Sequence, residues 1–245
     1  MDPTPKFSTN TREQIAFDVG VFSRKGRKYA ENHDAHLCWP QKGIYAVIDG
    51  SDNLPSAKVA ADLAVETITQ EVFKIPHDVS PEDKAIRALV STHEAIMRAR
   101  EGDGSMIGAT GAVVVLDSNE SGAFATAGDT RIYVARADGT LEKISRDDVR
   151  SDYKDALSNW LGKYSGHEFE EEKFFVNSGS LNLSRGDCLL IMSDGIYKVI
   201  SDSQIRDLVK SSLNAQNLAE RLIQTAEDQE KEYPDDKTVV AVIAK

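Results

Sequence analysis

Two stretches of the chain end alike. Ile44-Tyr45-Ala46-Val47-Ile48 runs into Asp49-Gly50, and Leu189-Leu190-Ile191-Met192 runs into Ser193-Asp194-Gly195. Each is an apolar, strand-like run closed by an acid and a glycine. A carboxylate there sits where a rigid strand meets solvent, and the glycine lets the backbone turn and bring its carbonyl close to a ligand. Two such ends side by side would form a strongly anionic pocket. Carboxylates that close repel, and one is driven to protonate unless a cation neutralises them. Oxygen-only ligands favour Mg²⁺ or Mn²⁺ over zinc, which prefers histidine and cysteine. One Asp-Gly dipeptide is an ordinary turn signal; two after apolar strands carry more weight.

Further acids fall at similar places. Asp129 stands in Gly128-Asp129-Thr130-Arg131, after the strand expected at 122–127. Asp235-Asp236 precedes the strand expected at 238–243. Asp34, in Asn32-His33-Asp34, follows the basic cluster Arg24, Lys25, Arg27 and Lys28 and precedes a short strand candidate. Each alone reads as a solvated turn rather than a ligand. Cys188 is a poor nucleophile, since it opens an apolar strand with no adjacent base to activate it. His36, His77, His93 and His167 show no ligand spacing, and His93 reads as a helix-face residue.

The elements that must hold these acids come in blocks. Runs rich in β-branched and aromatic residues predict strands at 16–22, 44–48, 112–116, 122–127, 132–135, 188–192 and 238–243. A 3.6-residue period predicts helices. One follows Ser56, with Ala60, Leu63, Ala64, Ile68 and Val72 on a face. A second follows the start signal Ser80-Pro81-Glu82-Asp83. A third is capped by Ser201 and Gln204, and a fourth carries Leu218, Leu222, Ile223 and Ala226. Strand runs beside paired helices indicate an α+β fold, with antiparallel sheet and helices packed outside it. The turns between 111 and 137 are too short for parallel crossovers. The polar segment 147–184 reads as a flap-like excursion, with some helix around 153–161. The first 14 residues read as a polar tail, and 15–245 as one domain.

The chain has 245 residues, of which 40 are acidic and 29 basic, for a net charge of −11. That balance opposes a broad nucleic-acid surface, which needs clustered Lys and Arg. No apolar run approaches the ~20 residues of a membrane helix, and the N-terminal residues show no secretion signal. Two cysteines are too few for a disulfide scaffold and read as buried free thiols. A cytoplasmic location is the expectation.

Taken in order, the motifs resemble those of the metal-dependent protein phosphatases, the PPM or type 2C serine/threonine family, in its bacterial form. The resemblance rests on Asn32-His33-Asp34-Ala35, Ala46 to Gly50, Gly108-Ala109-Thr110, Ala127 to Arg131, Arg185 to Gly195, and Asp235 to Val240. It implies a central β-sandwich flanked by helices on both sides. It further implies that Asp49 bridges two Mn²⁺ or Mg²⁺ ions, one of which the Gly50 carbonyl also binds. Asp194 and Asp235 complete the ligand set, Asp34 acts through water, and Asp129 with Asp194 forms a third, weaker metal site. Two ions ~3.5–4 Å apart share a water and lower its pKa, and it attacks phosphorus in line. The implied partner is a phosphorylated protein, and with it a serine/threonine kinase.

Five features depart from the family pattern. His33 stands where Glu or Gln is usual. Tyr29 takes the place of the phosphate-holding arginine, leaving Lys28 or Arg27 to serve. Ser51 to Pro55 replaces a glycine-rich stretch, and no histidine follows Gly50 as a general acid. Asp235-Asp236 replaces Asp-Asn. No implied metal ligand is lost. A phosphatase therefore leads. A regulatory module that binds phosphoprotein without turnover, and a phosphatase of small molecules, remain as alternatives.

Overall fold

The computed structural model describes residues 16–51, 56–76, 78–103, 107–117, 121–153, 156–163, 173–231 and 234–245. The expected N-terminal tail lies outside them. Ten strands are described: β1 (Phe17–Arg24), β2 (Asp34–Trp39), β3 (Ile44–Gly50), β4 (Ala109–Leu116), β5 (Ser121–Ala127), β6 (Arg131–Ala135), β7 (Leu141–Lys143), β8 (Asn177–Asn182), β9 (Cys188–Met192) and β10 (Lys237–Ala244). They form two antiparallel sheets, ordered β1-β10-β9-β6-β7 and β2-β3-β4-β5-β8.

Alternation along the strands builds three layers of core. Tyr45, Val47, Ala112, Val114 and Phe124 of one sheet meet Ile132, Val134, Leu189, Ile191, Val240 and Val242 of the other. The intervening residues Ala46, Ile48, Val113 and Val115 turn the opposite way, onto α1 (Ala57–Lys74) and α2 (Pro81–Asp103). Leu190, Met192, Val239 and Ala241 likewise pack on α4 (Asp202–Ser211) and α5 (Ala215–Gln229). Successive side chains of a strand face opposite sides, so a sheet covered on both faces reads as unbroken apolar sequence. That explains the wholly buried β4, Ala-Thr-Gly-Ala-Val-Val-Val-Leu. The layers are helices, sheet, sheet and helices, the α+β sandwich expected.

Capping chemistry sets the helix starts. Asp83 N–H donates to Ser80 Oγ at 3.1 Å. Ser201 and Gln204 form a reciprocal capping box on α4, and the Asn214 side chain accepts from Asn217 N–H at the start of α5. No helix among the described residues is long and apolar enough to cross a membrane.

The segment 147–184, expected to leave the sheet, partly returns to it as β8, which pairs with β5 from Ser121↔Asn182 to Thr126↔Asn177. The helix expected around 153–161 is absent among the described residues. Ser158 N–H donates to the Asp148 carbonyl at 2.8 Å, and Leu161 bridges to Ala109. Non-helical partners take the backbone here: Arg150 N–H donates to the Ala156 carbonyl at 2.8 Å, and Lys163 Nζ donates to the Ser158 carbonyl at 2.6 Å. The buried Asp148 carboxylate accepts from Gly128 N–H at 3.0 Å, Asn159 Nδ2 at 2.8 Å and Asn177 Nδ2 at 2.8 Å. One carboxylate thus ties the excursion to the turn after β5. Asp148→Ala strands all three donors, so it should cost about 2–4 kcal/mol in chemical denaturation. A loss under about 1 kcal/mol would show that Asp148 does not hold this junction.

Candidate metal centre

Antiparallel pairing brings the acid-bearing strand ends to one end of the sandwich. Asp34 opens β2 directly opposite Asp49, the penultimate residue of β3. Asp49 lies opposite Thr110 at the start of β4, and β4 leads through its Gly111↔Ala127 pair to the Gly128-Asp129 turn. In the other sheet, Arg131 at the start of β6 pairs with Met192 at the end of β9, two residues before Asp194. Ser193 N–H donates to the Thr238 carbonyl at 3.0 Å, and Thr238 N–H donates to Ser193 Oγ at 2.9 Å, which sets Asp194 beside the approach to β10.

Glycines permit the close approaches. A Cβ on Gly195 would lie 2.0 Å from the Asp236 carbonyl oxygen, and one on Gly50 would lie 2.5 Å from the Ala57 carbonyl oxygen. Neither position admits a side chain without backbone movement. Asp236, the departure from the family pattern, is buried and accepts from Gly26 N–H at 2.7 Å and His33 N–H at 2.6 Å. It fastens both ends of the basic loop to the approach to β10.

Charge defines the site. Burial, followed by the carboxylates of Asp194, Asp34, Asp129 and Asp235, pushes the Asp49 carboxyl well above the ordinary range. Burial pushes Asp34 up to about 7, against hydrogen bonds from Thr238 and Ser193; Ser193 Oγ donates to Asp34 Oδ2 at 2.8 Å. Burial and Asp194 push Asp129 up to about 6. Asp34, Asp129, Asp194 and Asp235, all expected as ligands, thus act on Asp49. Among the described residues, no three His, Cys, Asp or Glu side chains form a ready cage for one ion. These donors fit hard divalent ions whose six-oxygen shells are completed by a backbone carbonyl and water.

The phosphate-binding candidates sit apart in their contacts. Arg27 Nη2 lies 3.1 Å from Glu230 Oε1, and its side chain is mostly exposed. The Lys28 ammonium lies 4.7 Å from the Tyr29 ring centroid, and the Tyr29 and His33 rings pack at a tilt with centroids 4.4 Å apart. His93 is a partnered helix residue, accepting from Gly162 N–H at 3.1 Å and stacking on Phe174. Cys188 is buried, and burial pushes its thiol up to about 12, which removes it as a nucleophile; Cys38 is only half-buried.

Four residues that shape the site stand outside the expected set. Ser193 orients Asp34. The Tyr197 hydroxyl donates to the Asp129 carbonyl at 2.8 Å. Arg131 stacks on Tyr197, 3.7 Å from its ring centroid, and makes a forked pair with Asp147. The Lys198 ammonium lies 2.7 Å from Asp194 Oδ2 and 3.7 Å from Asp129 Oδ2. Lys198 follows Asp194 by four residues, the helical spacing that brings side chains together, and that spacing is the signal that finds it.

Comparison with known proteins identifies the family and the fold. The family described as Protein phosphatase 2C matches residues 25–237. The chain belongs to the protein phosphatase 2C family. Its fold is similar to that of PppA, described as a key regulatory component of T6SS in Pseudomonas aeruginosa, at 22% identity and TM-score 0.78, covering 95% of this chain and 100% of that one. The catalytic domain of the serine/threonine phosphatase PstP, solved with 2 manganese ions, is 21% identical with TM-score 0.78, covering 94% and 99%. Stp1 from Staphylococcus aureus is 16% identical with TM-score 0.79, covering 94% and 96%. No curated protein matches the chain. At these identities the structural likeness carries the fold, and the family match carries the membership. The expected type 2C sandwich is thereby borne out.

Crowded carboxylates give this phosphatase-family site a pH signature. The folded pKa values of Asp34 and Asp49 are raised above the ordinary 3.8, that of Asp34 to about 7, so the stability they contribute is full below about pH 4 and is lost as pH rises through about 7. In chelator, the melting temperature should fall between pH 5 and pH 7.5. Asp49→Asn, which removes one charge, should melt above wild type at pH 7.5, and that advantage should shrink at pH 5. A variant that melts lower than wild type at pH 7.5 would show that the charges do not oppose one another.

Proposed function

We propose that the chain hydrolyses phosphoserine and phosphothreonine in proteins, using two Mn²⁺ or Mg²⁺ ions. The observation that carries this reading is the meeting of the acid-bearing strand ends at one end of the sandwich, where Asp34 pairs opposite Asp49 and Ser193, beside Asp194, bonds both Asp34 and Thr238. Asp49, the Gly50 carbonyl, Asp194 and Asp235 would hold the ions, and Asp34 would act through water. When bound, the ions supply an activated water, a grip on phosphate oxygens and positive charge against the transition state.

The chain's own contribution is placement. Strand ends fix the carboxylates before any ion arrives, which spares the cost of gathering them. The side chains of Ser193 and Thr238 both bond Asp34 and hold its carboxylate in place. Lys28 and Arg27 are the cations offered to the phosphate. Glu230 already engages Arg27, and Lys28 rides on the loop that Asp236 fastens. A phosphoprotein substrate implies a serine/threonine kinase that makes it and a signalling role, within the cytoplasm.

The purified chain should release phosphate from phosphoserine and phosphothreonine peptides only with Mn²⁺ or Mg²⁺ present. Asp49→Asn should lower kcat by about 10³-fold or more. Lys28→Ala should raise KM about tenfold, as expected for one charge-assisted hydrogen bond. Tight phosphopeptide binding without turnover would favour a regulatory module instead. Preference for phosphorylated metabolites would move the assignment to small molecules. Full activity in excess chelator would overturn the reading.

A further inference from the structure

We infer that the Lys198 ammonium is a built-in cation for the Asp129–Asp194 pair, taking the place that a third divalent ion would otherwise fill. The inference rests on the two-ion reading above and adds a limit to it. Lys198 caps the short helix α3 (Asp194–Tyr197), and its backbone N–H donates to the Asp194 carbonyl at 3.0 Å. This return over one helical turn lays the side chain back along the acid that opens the helix. The ammonium reaches Asp194 Oδ2 at 2.7 Å and Asp129 Oδ2 at 3.7 Å.

The three groups are well enclosed. The side chains of Lys198, Asp194 and Asp129 are 24%, 13% and 11% exposed, so water screens their charges little. Asp129 is held in position independently of any cation. Gly128, at φ 100°, turns the chain; Thr130 Oγ1 bonds Thr110 Oγ1 at 2.7 Å; and Tyr197 holds the Asp129 carbonyl. The position between the two acids is therefore a feature of the fold, and Lys198 occupies it. A divalent ion placed there would have to expel the ammonium, leaving two like charges within a few ångströms of each other.

Charge balance points the same way. Asp34, Asp49, Asp129, Asp194 and Asp235 together carry as much negative charge as two divalent ions and one ammonium carry positive. Neighbouring acids are already answered elsewhere: Asp147 by Arg131 and Lys143, and Asp236 by the backbone N–H groups of Gly26 and His33.

The test counts bound Mn²⁺ per chain by equilibrium dialysis and electron paramagnetic resonance, for wild type and for Lys198→Gln. The variant should bind one more ion than wild type, three against two, and Asp129→Asn in the variant should abolish the extra one. Lys198→Ala, assayed in parallel with circular dichroism to verify folding, should behave as Lys198→Gln does. Equal counts in wild type and both variants would overturn the inference, as would an extra ion that survives Asp129→Asn. The absolute count in wild type addresses the two-ion reading separately: wild type binding no ion contradicts that reading, while the difference between variants still decides the role of Lys198.

Discussion

Mutual repulsion among buried carboxylates is the constraint on which this structure turns. Asp34, Asp49, Asp129, Asp194 and Asp235 stand at one end of the sandwich, where burial and neighbouring charge resist the ionisation of Asp34, Asp49 and Asp129. Such an arrangement is costly for a folded chain. The rest of the fold can be understood as what overcomes that cost: three apolar layers hold the strands rigidly enough that their charged ends cannot spread apart. The divalent cations of the proposed function would remove the penalty, turning the cost of assembling the site into affinity for the ions.

Antiparallel topology does the gathering. When neighbouring strands run in opposite directions, the end of one lies beside the start of the next, so acids placed at alternate starts and ends collect along one edge. Asp34 at a start and Asp49 at an end are direct partners, and Arg131 at a start meets Met192 at an end. Small residues complete the closure. Gly50 and Gly195 let two backbones pass where a methyl group would collide, and Ser193 bonds both Thr238 and Asp34 across the seam.

Much of this was legible in the sequence, for physical reasons. Strands covered on both faces are continuously apolar, so β3, β4, β9 and β10 stand out, and the acids that end or precede them are conspicuous. The capped helices announce themselves through Ser80, Ser201 and the 3.6-residue apolar period. Other elements were hidden. β8 is Asn-Ser-Gly-Ser-Leu-Asn, an edge strand with alternating exposure, and its composition is that of a loop. The segment around Tyr153 has helix-like spacing, but its backbone bonds Asp148 and Arg150 instead of completing helical turns. Of the site, the five acids could be read from their places at strand ends. Their surroundings could not: Ser193, Tyr197 and Asp236 act across contacts between residues distant in sequence, which no local pattern encodes. Lys198 is intermediate, visible as a basic residue one turn beyond Asp194 once that residue is known to open a helix.

Direct observation of the ions tests the central claim most closely. Crystals grown with Mn²⁺ and measured at the manganese absorption edge should show two strong anomalous peaks, both touching Asp49, with Asp194 and Asp235 completing the shells. Peaks elsewhere on the surface, or no peak at Asp49 at millimolar Mn²⁺, would contradict the account.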